Sequence, residues 1–311
     1  MGCSVVIPVY NSAATLPELI AQLRQVLPTV AERYEVILVN DGSRDLSWGV
    51  ITRLADEHAW VRGIDLMRNY GQHNALLAGI RAARYDVTVT MDDDLEHPPE
   101  AIPALVAKLD EGYDLVFGAP ENPQHGFWRD VSSTLTKLVI VGATGIRIAP
   151  AGCSFRAFRT GLRAAFTDYS SPYVSIDVLL TWGTTRYGAV PVRHNPRRMG
   201  RSNYNLRKLI GHALDLTTGF STWPLRMASL LGFAVTLLGL ALLVLVIGDH
   251  LLTKNPLSVF RFFTAVIAIF SGTQLFALGV MGEYLARMHL RMMGRPSYAI
   301  RERAGRSAED E

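Results

Sequence analysis

Residues 88–100 read Thr88-Val89-Thr90-Met91-Asp92-Asp93-Asp94-Leu95-Glu96-His97-Pro98-Pro99-Glu100. The first part is typical of a buried β-strand. The second part is an acidic cluster, and the Pro-Pro pair that follows it forces the chain into a turn. In open α/β sheets, ligands bind beyond the carboxyl ends of the parallel strands, which is where these acids would lie. Asp92 and Asp94 are two residues apart, so their side chains point the same way on an extended chain.

The acidic triplet has two interpretations. Adjacent carboxylates repel each other unless a cation lies between them, and oxygen ligands suit Mg²⁺ or Mn²⁺. A cation held in this way is suited to binding a diphosphate, which favours a nucleotide-activated substrate. Taken alone, the triplet is equally well interpreted as a solvated acidic turn.

The composition limits the class of protein. A chain of 311 residues is long enough for one large domain, or for one domain with an appendage. The net charge of +3 is too small to indicate nucleic-acid binding, and the basic residues gather after Arg186 rather than in a stripe. Cys3 and Cys153 have no metal-site spacing, which favours two reduced thiols. The first residues run directly into a predicted strand, so we expect no signal peptide before the fold.

Predicted strands and helices alternate from residue 4 to about residue 120. The predicted strands are Val5–Val9, Glu35–Asn40, Val61–Leu66, Asp86–Met91 and Asp114–Gly118. The predicted helices are Ala14–Val26, Ser47–His58, Gly71–Arg84 and Pro103–Glu111. This rhythm with short connections predicts an α/β fold, in which helices cover both faces of a mostly parallel sheet.

Polar loops follow three of these strands, at Pro8–Ser12, Asn40–Ser43 and Asp92–Glu96, and they would meet at one edge of the sheet. The sequence contains neither the G-x-G-x-x-G pattern of dinucleotide-binding folds nor a P-loop. These loops therefore favour a diphosphate held through a metal ion.

Four blocks of sequence occur in a specific order and carry a family resemblance. They are Val5-Val6-Ile7-Pro8-Val9-Tyr10-Asn11, Val39-Asn40-Asp41-Gly42-Ser43, Arg68-Asn69-Tyr70-Gly71 and Met91–Glu100. Together they resemble glycosyltransferase family 2, which has the Rossmann-like GT-A fold. Within the family, the chain most resembles the polyisoprenyl-phosphate glycosyltransferase branch, and this likeness covers nearly the whole chain. The branch includes dolichyl-phosphate mannose synthase and the undecaprenyl-phosphate glucose and aminoarabinose transferases.

The resemblance implies roles for residues on the donor side. Asp92 and Asp94 would be the two acids of a D-x-D motif and would hold Mg²⁺ or Mn²⁺ on the donor diphosphate, with Glu96 also near the metal. The residues implied for nucleotide binding are Pro8, Tyr10, Asn11, Asp41, Asn69 and Asp93. Among them, Asp41 would contact the base. Asp93 lies at the variable middle position of the motif, where it would face away and matter less.

The resemblance also implies an acceptor side after residue 120. The loop Arg197-Arg198-Met199-Gly200-Arg201-Ser202-Asn203-Tyr204 resembles the branch's R-x-x-G-x-S-x-Y motif, which closes over phosphate. The implied phosphate or lipid contacts are Arg129, Arg156, Arg197, Arg198, Ser202 and Tyr204, and Arg197 and Ser202 join the two aspartates as catalytic residues. Without the family resemblance, the cluster Pro196-Arg197-Arg198 is typical of a solvated loop or an anionic-lipid anchor. Residues 126–141 are predicted to form an amphipathic helix, either at a membrane interface or against the core.

No acid lies between Ala149 and Phe158, where some relatives carry a proposed base. The chemistry tolerates this absence, because a lipid monophosphate, like phosphoserine, has a second pKa of about 6. Such a nucleophile arrives largely deprotonated and needs orientation more than activation.

The last third of the chain predicts a membrane segment. Residues 205–225 are interpreted as an interfacial helix, and the uncharged runs Met227–Ile247 and Phe262–Gly282 are each long enough to span a bilayer. The arginines that follow the second run place both termini in the cytoplasm by the positive-inside rule. The expected organisation is a catalytic domain over 1–204, the interfacial helix, a transmembrane hairpin over 226–286 and a basic tail over 287–311.

The expected function is an inverting transfer of sugar from a nucleotide diphosphate sugar to polyisoprenyl phosphate at the inner membrane. The family resemblance favours UDP as the nucleotide of the donor. The branch also implies a homo-oligomer, since relatives form tetramers. Two alternatives stay open. A polysaccharide synthase would carry a Q-x-x-R-W motif and more spans, and a non-catalytic partner subunit would only bind the nucleotide sugar.

Overall fold

The computed structural model describes residues 2–121, 154–170, 174–193, 259–292, 294 and 296–305. The chain divides into two compact units. The first unit comprises Met1–Leu206 together with Gly294–Glu311, and the second comprises Arg207–Met293.

The described elements alternate along the first unit. The strands are β1 (Gly2–Val9), β2 (Arg33–Asn40), β3 (Val61–Leu66), β4 (Val87–Thr90), β5 (Leu115–Pro120), β6 (Arg156–Arg159), β7 (Tyr187–Val192) and β8 (Ile300–Ala304). The helices are α1 (Leu16–Val30), α2 (Ser47–Glu57), α3 (Gln72–Ala82), α4 (Ile102–Asp110) and α5 (Ile176–Gly183), with 3₁₀ turns at Pro99–Ala101 and Thr160–Phe166.

The eight strands form one mixed sheet in the order β7-β5-β6-β4-β1-β2-β3-β8. Strands β4, β1, β2 and β3 are parallel, so their carboxyl ends lie along one edge. The antiparallel strand β6 lies between β4 and β5, and β7 runs parallel to β5 at the far side. The other edge is closed by β8, which pairs antiparallel with β3.

Two apolar clusters sandwich the sheet. Val5 and Ile7 of β1 face the cluster that includes α1, α2 and α4, whereas Val6 faces the cluster that includes α3 and α5. Successive residues of a strand point to opposite faces, so a strand buried on both faces must be apolar throughout. The continuous apolar run of β1 meets this requirement, and the predicted α/β architecture is confirmed.

The structure also differs from the predicted elements. Helix α1 continues to Val30 and contains Pro28 in its last turn, four residues beyond the predicted end at Val26. Pro28 cannot donate a backbone hydrogen bond to the carbonyl of Arg24, and the helix ends two residues after it. Strands β6, β7 and β8 are not among the predicted strands. β6 and β8 are short and rich in arginine, so they have no clear alternating pattern. β7 contains Gly188 and Pro191, and both residue types are depleted in strands.

The described part of the second unit is helix α6 (Val259–Met292). Large apolar side chains are exposed along it at Phe263, Ile267, Phe270 and Leu278. Across the described residues, no helix has the combination of length and apolar character that crossing a membrane requires.

Candidate active site

The loops that follow β1, β2 and β4 are joined by hydrogen bonds at the carboxyl edge of the sheet. The backbone N–H of Tyr10 donates to Oδ2 of Asp93 at 3.2 Å. The backbone N–H of Asn11 donates to the Ser43 hydroxyl at 3.0 Å, and Arg44 N–H donates to Oδ1 of Asn11 at 2.8 Å. The three loops predicted to meet at one edge therefore do meet.

Asp41 lies at the end of β2 and holds the loop that follows β3. Its side chain is buried, and its carboxylate accepts hydrogen bonds from the backbone N–H groups of Tyr70 at 2.7 Å and Gly71 at 2.8 Å. Burial raises the pKa of Asp41, although these two hydrogen bonds and the nearby Arg68 guanidinium oppose the increase. The Arg68 guanidinium in turn lies 4.4 Å from the centre of the Tyr70 ring. Asp41 thus fixes the conformation of the 67–71 loop. Each oxygen of its carboxylate keeps a second lone pair that can accept a further hydrogen bond.

The other residues implied for nucleotide binding lie along the same edge. Pro8 is buried in β1, while Tyr10, Asn11 and Asn69 are exposed in the loops. Asn11 adopts a positive φ of 55°, a conformation that asparagine tolerates better than most residues. Asp93, which was expected to face away, instead contacts the loop after β1.

Gly42 is required for the close approach of the loops after β2 and β3. Its φ is 63°, and a Cβ atom there would lie 2.5 Å from the backbone nitrogen of Asn69. We expect Gly42→Ala to lower the free energy of unfolding by about 1–3 kcal/mol, because it adds both backbone strain and a clash. In contrast, Gly49→Ala in α2 meets open space and should stabilise by about 0.5–1 kcal/mol. Thermal unfolding of both variants checks this prediction. Equal shifts of the thermal midpoint in the two variants would contradict it.

The carboxylate of Asp92 is held from both sides. Nε2 of Gln72, the first residue of α3, donates to its Oδ1 at 2.7 Å. The hydroxyl of Ser154 donates to its Oδ2. Neither partner was predicted from the sequence, since they lie 20 and 62 positions from Asp92 along the chain and only the folded sheet brings them close.

Asp92 and Asp93 have perturbed acidities. Burial raises the pKa of Asp92 to about 6 against the hydrogen bond from Ser154, and the neighbouring carboxylates of Asp93 and Asp94 raise it further. Burial likewise raises the pKa of Asp93 to about 6, in spite of hydrogen bonds from the side chain of Ser12 and the backbone of Tyr10. The cluster therefore concentrates negative charge, a setting that favours a bound cation.

A pH dependence follows from these acidities in the absence of divalent cations. The folded-state pKa values of about 6 exceed the ordinary value of 3.8, so the folded chain binds more protons than the unfolded chain between them. The contribution of Asp92 and Asp93 to stability therefore rises as the pH falls from about 7 to about 4. We expect Asp93→Asn to raise the thermal midpoint at pH 7 and to reduce its change between pH 5 and pH 7. The exposed control Asp56→Asn should keep the wild-type profile, and an unchanged profile in Asp93→Asn would contradict the assignment.

Asp94 and Glu96 lie in a tight turn. The backbone N–H of Glu96 donates to Oδ1 of Asp94 at 3.1 Å. Leu95 between them has a φ of 63° and is buried, so its side chain anchors the turn to the core. A buried leucine in the left-handed region is strained, and strain of this kind is concentrated at functional sites.

The acids of this cluster are candidate ligands for a metal ion. In the part of the chain that the structure describes, no group of three or more His, Cys, Asp or Glu side chains is arranged to hold a metal. Asp92 and Asp94 fit Mg²⁺-type binding, in which one or two carboxylates act together with water and substrate phosphates.

Arg156, which the family resemblance implied for phosphate or lipid binding, is buried. Its Nη1 forms an ion pair with Oδ1 of Asp177 at 2.6 Å, and the Arg156 and Asp177 side chains are 2% and 13% exposed. Among the described residues, Nε of Arg156 has no hydrogen-bond partner. Arg156 faces Thr90 in the neighbouring strand, two residues before Asp92, so its charge lies close to the acidic cluster.

Several expectations concern residues outside those that the structure describes. They include the phosphate and lipid contacts Arg129, Arg197, Arg198, Ser202 and Tyr204, together with the helices expected over 126–141 and 205–225 and the run 227–247.

Comparisons with known proteins agree with the geometry. Residues 4–166 match the model for Glycosyl transferase family 2. The chain is 37% identical, over 98% of its length and 94% of the relative, to an undecaprenyl-phosphate 4-deoxy-4-formamido-L-arabinose transferase from Enterobacter sp. (strain 638).

Solved structures with a similar fold include glucosyl-3-phosphoglycerate synthase from Mycobacterium tuberculosis. Its complex with Mn²⁺, UDP and phosphoglyceric acid has a TM-score of 0.53 at 18% identity, covering 70% of this chain and 76% of that one. The complex with Mn²⁺ and UDP-glucose has a TM-score of 0.53 at 19% identity, covering 70% and 77%. The structural likeness establishes the fold, and the family match covers the strands that carry the acidic site. The chain therefore belongs to glycosyl transferase family 2 and is a glycosyltransferase with the GT-A fold.

Proposed function

We propose that this glycosyltransferase moves a sugar from a nucleotide diphosphate donor, with UDP favoured, to a polyisoprenyl phosphate such as undecaprenyl or decaprenyl phosphate. The product would be a lipid-phosphate-linked sugar that serves to modify cell-envelope glycans. The observation that carries the proposal is the 37% identity, over nearly the full length of both chains, to a transferase named for undecaprenyl phosphate.

The proposed reaction is a single displacement. A phosphate oxygen of the lipid attacks the anomeric carbon, the new carbon–oxygen bond forms, and the bond to the nucleotide diphosphate breaks with inversion. The electron pair leaves with the nucleotide diphosphate. A phosphate monoester is largely dianionic at neutral pH, since its second pKa is about 6, so no protein base has to remove a proton.

The protein's tasks are therefore to align the donor and to accommodate charge on the leaving group. Asp92 and Asp94, with Glu96 close by in the same turn, would hold Mg²⁺ or Mn²⁺. When bound, such an ion neutralises the diphosphate. Gln72 and Ser154 orient the Asp92 carboxylate by direct hydrogen bonds, which limits its rotation before substrate arrives.

The lipid acceptor requires a catalytic site close to a bilayer. We propose that residues 227–247 and 262–282 form two membrane spans, with the catalytic domain and both termini on the cytoplasmic side of the inner membrane. The uncharged character of these two sequence runs supports the spans, and the exposed apolar side chains of Phe263, Ile267 and Phe270 support a lipid-facing α6. A homo-oligomer is part of the proposal by family likeness.

The test is a donor screen with the purified full chain in lipid. Polyprenyl phosphate, Mg²⁺ or Mn²⁺ and a panel of labelled sugar nucleotides are supplied, and the label is followed after organic extraction. The proposal expects label in the lipid phase that depends on the divalent ion. Label in polymer would indicate a polysaccharide synthase. Nucleotide binding without any product would indicate a non-catalytic partner subunit.

The loop around residue 197 supplies a further prediction. We expect Arg197→Ala combined with Arg198→Ala to raise the KM for lipid phosphate or for donor by about 10- to 100-fold, because each arginine is proposed to donate charge-assisted hydrogen bonds to phosphate. The matched control is Arg33→Ala with Arg53→Ala, which removes the same charge from exposed positions of the catalytic domain. If neither KM moves relative to this control, the loop is only an anchor.

A further inference from the structure

The C-terminal strand β8 contacts the loop that Asp41 holds. The backbone N–H of Met67 donates to the carbonyl of Ala299 at 2.9 Å, just before β8 begins. The guanidinium of Arg301 donates through Nη2 to the carbonyl of Met67 at 2.8 Å. Arg301 therefore fixes the first residue of the 67–71 loop, whose last residues are fixed by Asp41.

Arg301 also reaches the end of β2 through two buried side chains. Its Nη1 lies 3.4 Å from Oδ2 of Asp65, and the Asp65 side chain is only 3% exposed. Oδ1 of Asp65 accepts a hydrogen bond from Nδ2 of Asn40 at 2.6 Å. Oδ1 of Asn40 in turn accepts from the backbone N–H of Ser43 at 3.4 Å. A buried carboxylate is costly without a compensating charge, and the ion pair with Arg301 provides that charge.

These contacts leave the donor side of the site held at two points. Arg301 holds Met67 directly and Asn40 through Asp65, and Asn40 and Asp41 are adjacent in the chain. Beyond the loop, α3 begins with Gln72, whose amide orients Asp92. A displacement of the 67–71 loop would therefore act on Asp41 and Asp92 together.

We propose that Arg301 is a positioning residue for the donor nucleotide, and that the C-terminal strand completes the donor half of the site. The inference rests on the proposed function, since it takes the Asp41 edge as the place where the nucleotide binds. It predicts that donor affinity depends on a segment that follows the whole membrane portion of the sequence, although that segment contributes no residue to the acidic cluster.

Arg303→Ala is a matched control for Arg301→Ala. Both arginines are exposed and lie on β8, so both substitutions remove one positive charge from the same strand. Ion-pair and hydrogen-bond partners are described for Arg301, at Asp65 and Met67. The conservative variant Arg301→Lys keeps the charge and loses the fork that serves two acceptors at once.

The experiment compares these variants of the full chain in lipid. UDP affinity, the KM values for donor and lipid phosphate, and hydrogen exchange of the 67–71 amides are measured. We expect Arg301→Ala to raise the UDP Kd and the donor KM about 5- to 10-fold, a moderate effect because the arginine is partly solvated. Exchange at 67–71 should accelerate, whereas the KM for lipid phosphate should change less than about twofold. Arg301→Lys should lie between Arg301→Ala and the wild type, and Arg303→Ala should match the wild type.

If Arg301→Ala and Arg303→Ala have equal UDP affinity and equal exchange at 67–71, this inference is overturned but the proposed function is not. Exchange that accelerates as much in the rest of the catalytic domain as at 67–71 would also overturn it by showing a general folding role. A lowered thermal midpoint alone is expected, because Arg301→Ala leaves the buried carboxylate of Asp65 without its compensating charge. Failure of the wild-type chain to bind any sugar nucleotide would instead overturn the proposed function and remove the basis of the inference.

Discussion

Asp94→Asn is expected to reduce sugar transfer by about 10²- to 10³-fold or more while leaving the protein folded. The substitution replaces a charged carboxylate with a neutral amide of nearly the same shape. The amide oxygen can still accept the hydrogen bond that Glu96 N–H donates to Asp94, so the turn should persist. What is lost is negative charge proposed to hold the cation on the diphosphate, and removal of one such preorganised electrostatic group has effects of this size.

The matched control for this variant is Glu100→Gln. It also converts one carboxylate to an amide in the segment after β4, but at an exposed position. Transfer rates over a series of Mn²⁺ concentrations and the thermal midpoint should be measured for both variants. Near-normal turnover in Asp94→Asn with a normal dependence on Mn²⁺ would remove the metal-binding role from Asp94.

Asp177→Ala is expected to destabilise the catalytic domain by about 3–5 kcal/mol. Asp177 forms the ion pair with buried Arg156, and removal of one partner leaves an uncompensated charge in the protein interior. For a domain of this size, the thermal midpoint should fall by roughly 6–20 °C. The control Asp168→Ala removes an exposed carboxylate and should shift the midpoint little.

A double variant separates the structural role of Arg156 from a direct contact with phosphate. Arg156→Met combined with Asp177→Leu removes both charges and should recover most of the lost stability. If the pair only supports the fold, the double variant should keep its KM for lipid phosphate. A stable double variant with a greatly raised KM for lipid phosphate would restore Arg156 as an acceptor contact, and a normal midpoint in Asp177→Ala would contradict the stabilising role of the pair.

The first half of the fold could be predicted from the sequence. Nine alternating elements between Val5 and Gly118 were placed within a few residues of their observed positions, because helices and buried strands have distinct apolar periods. The apolar run of β1, which faces a core on both sides, was an especially strong signal. In contrast, the short charged strand β8 has no such period, and the sequence predicts only a basic tail over 287–311.

The candidate site was predicted in part. The acids at the end of β4 and Asp41 at the end of β2 were identified, because turn residues after apolar runs mark the carboxyl edge of a parallel sheet. The partners that orient them were not identified. Gln72 and Ser154 are ordinary polar residues in sequence, and their importance arises from hydrogen bonds to Asp92.

The amino-acid sequence by itself determined the α/β rhythm, the sheet edge that carries the acids and the likeness to a glycosyltransferase family. Periodicity and short motifs are local properties, so they can be recognised without knowledge of distant contacts. Only the tertiary structure decided that Arg156 is buried against Asp177, that Asp41 holds the 67–71 loop and that Arg301 clamps the loop from the far end of the chain. These contacts join residues that are 21, 29 and 234 positions apart, and such pairings depend on strand order and side-chain packing rather than on any local pattern.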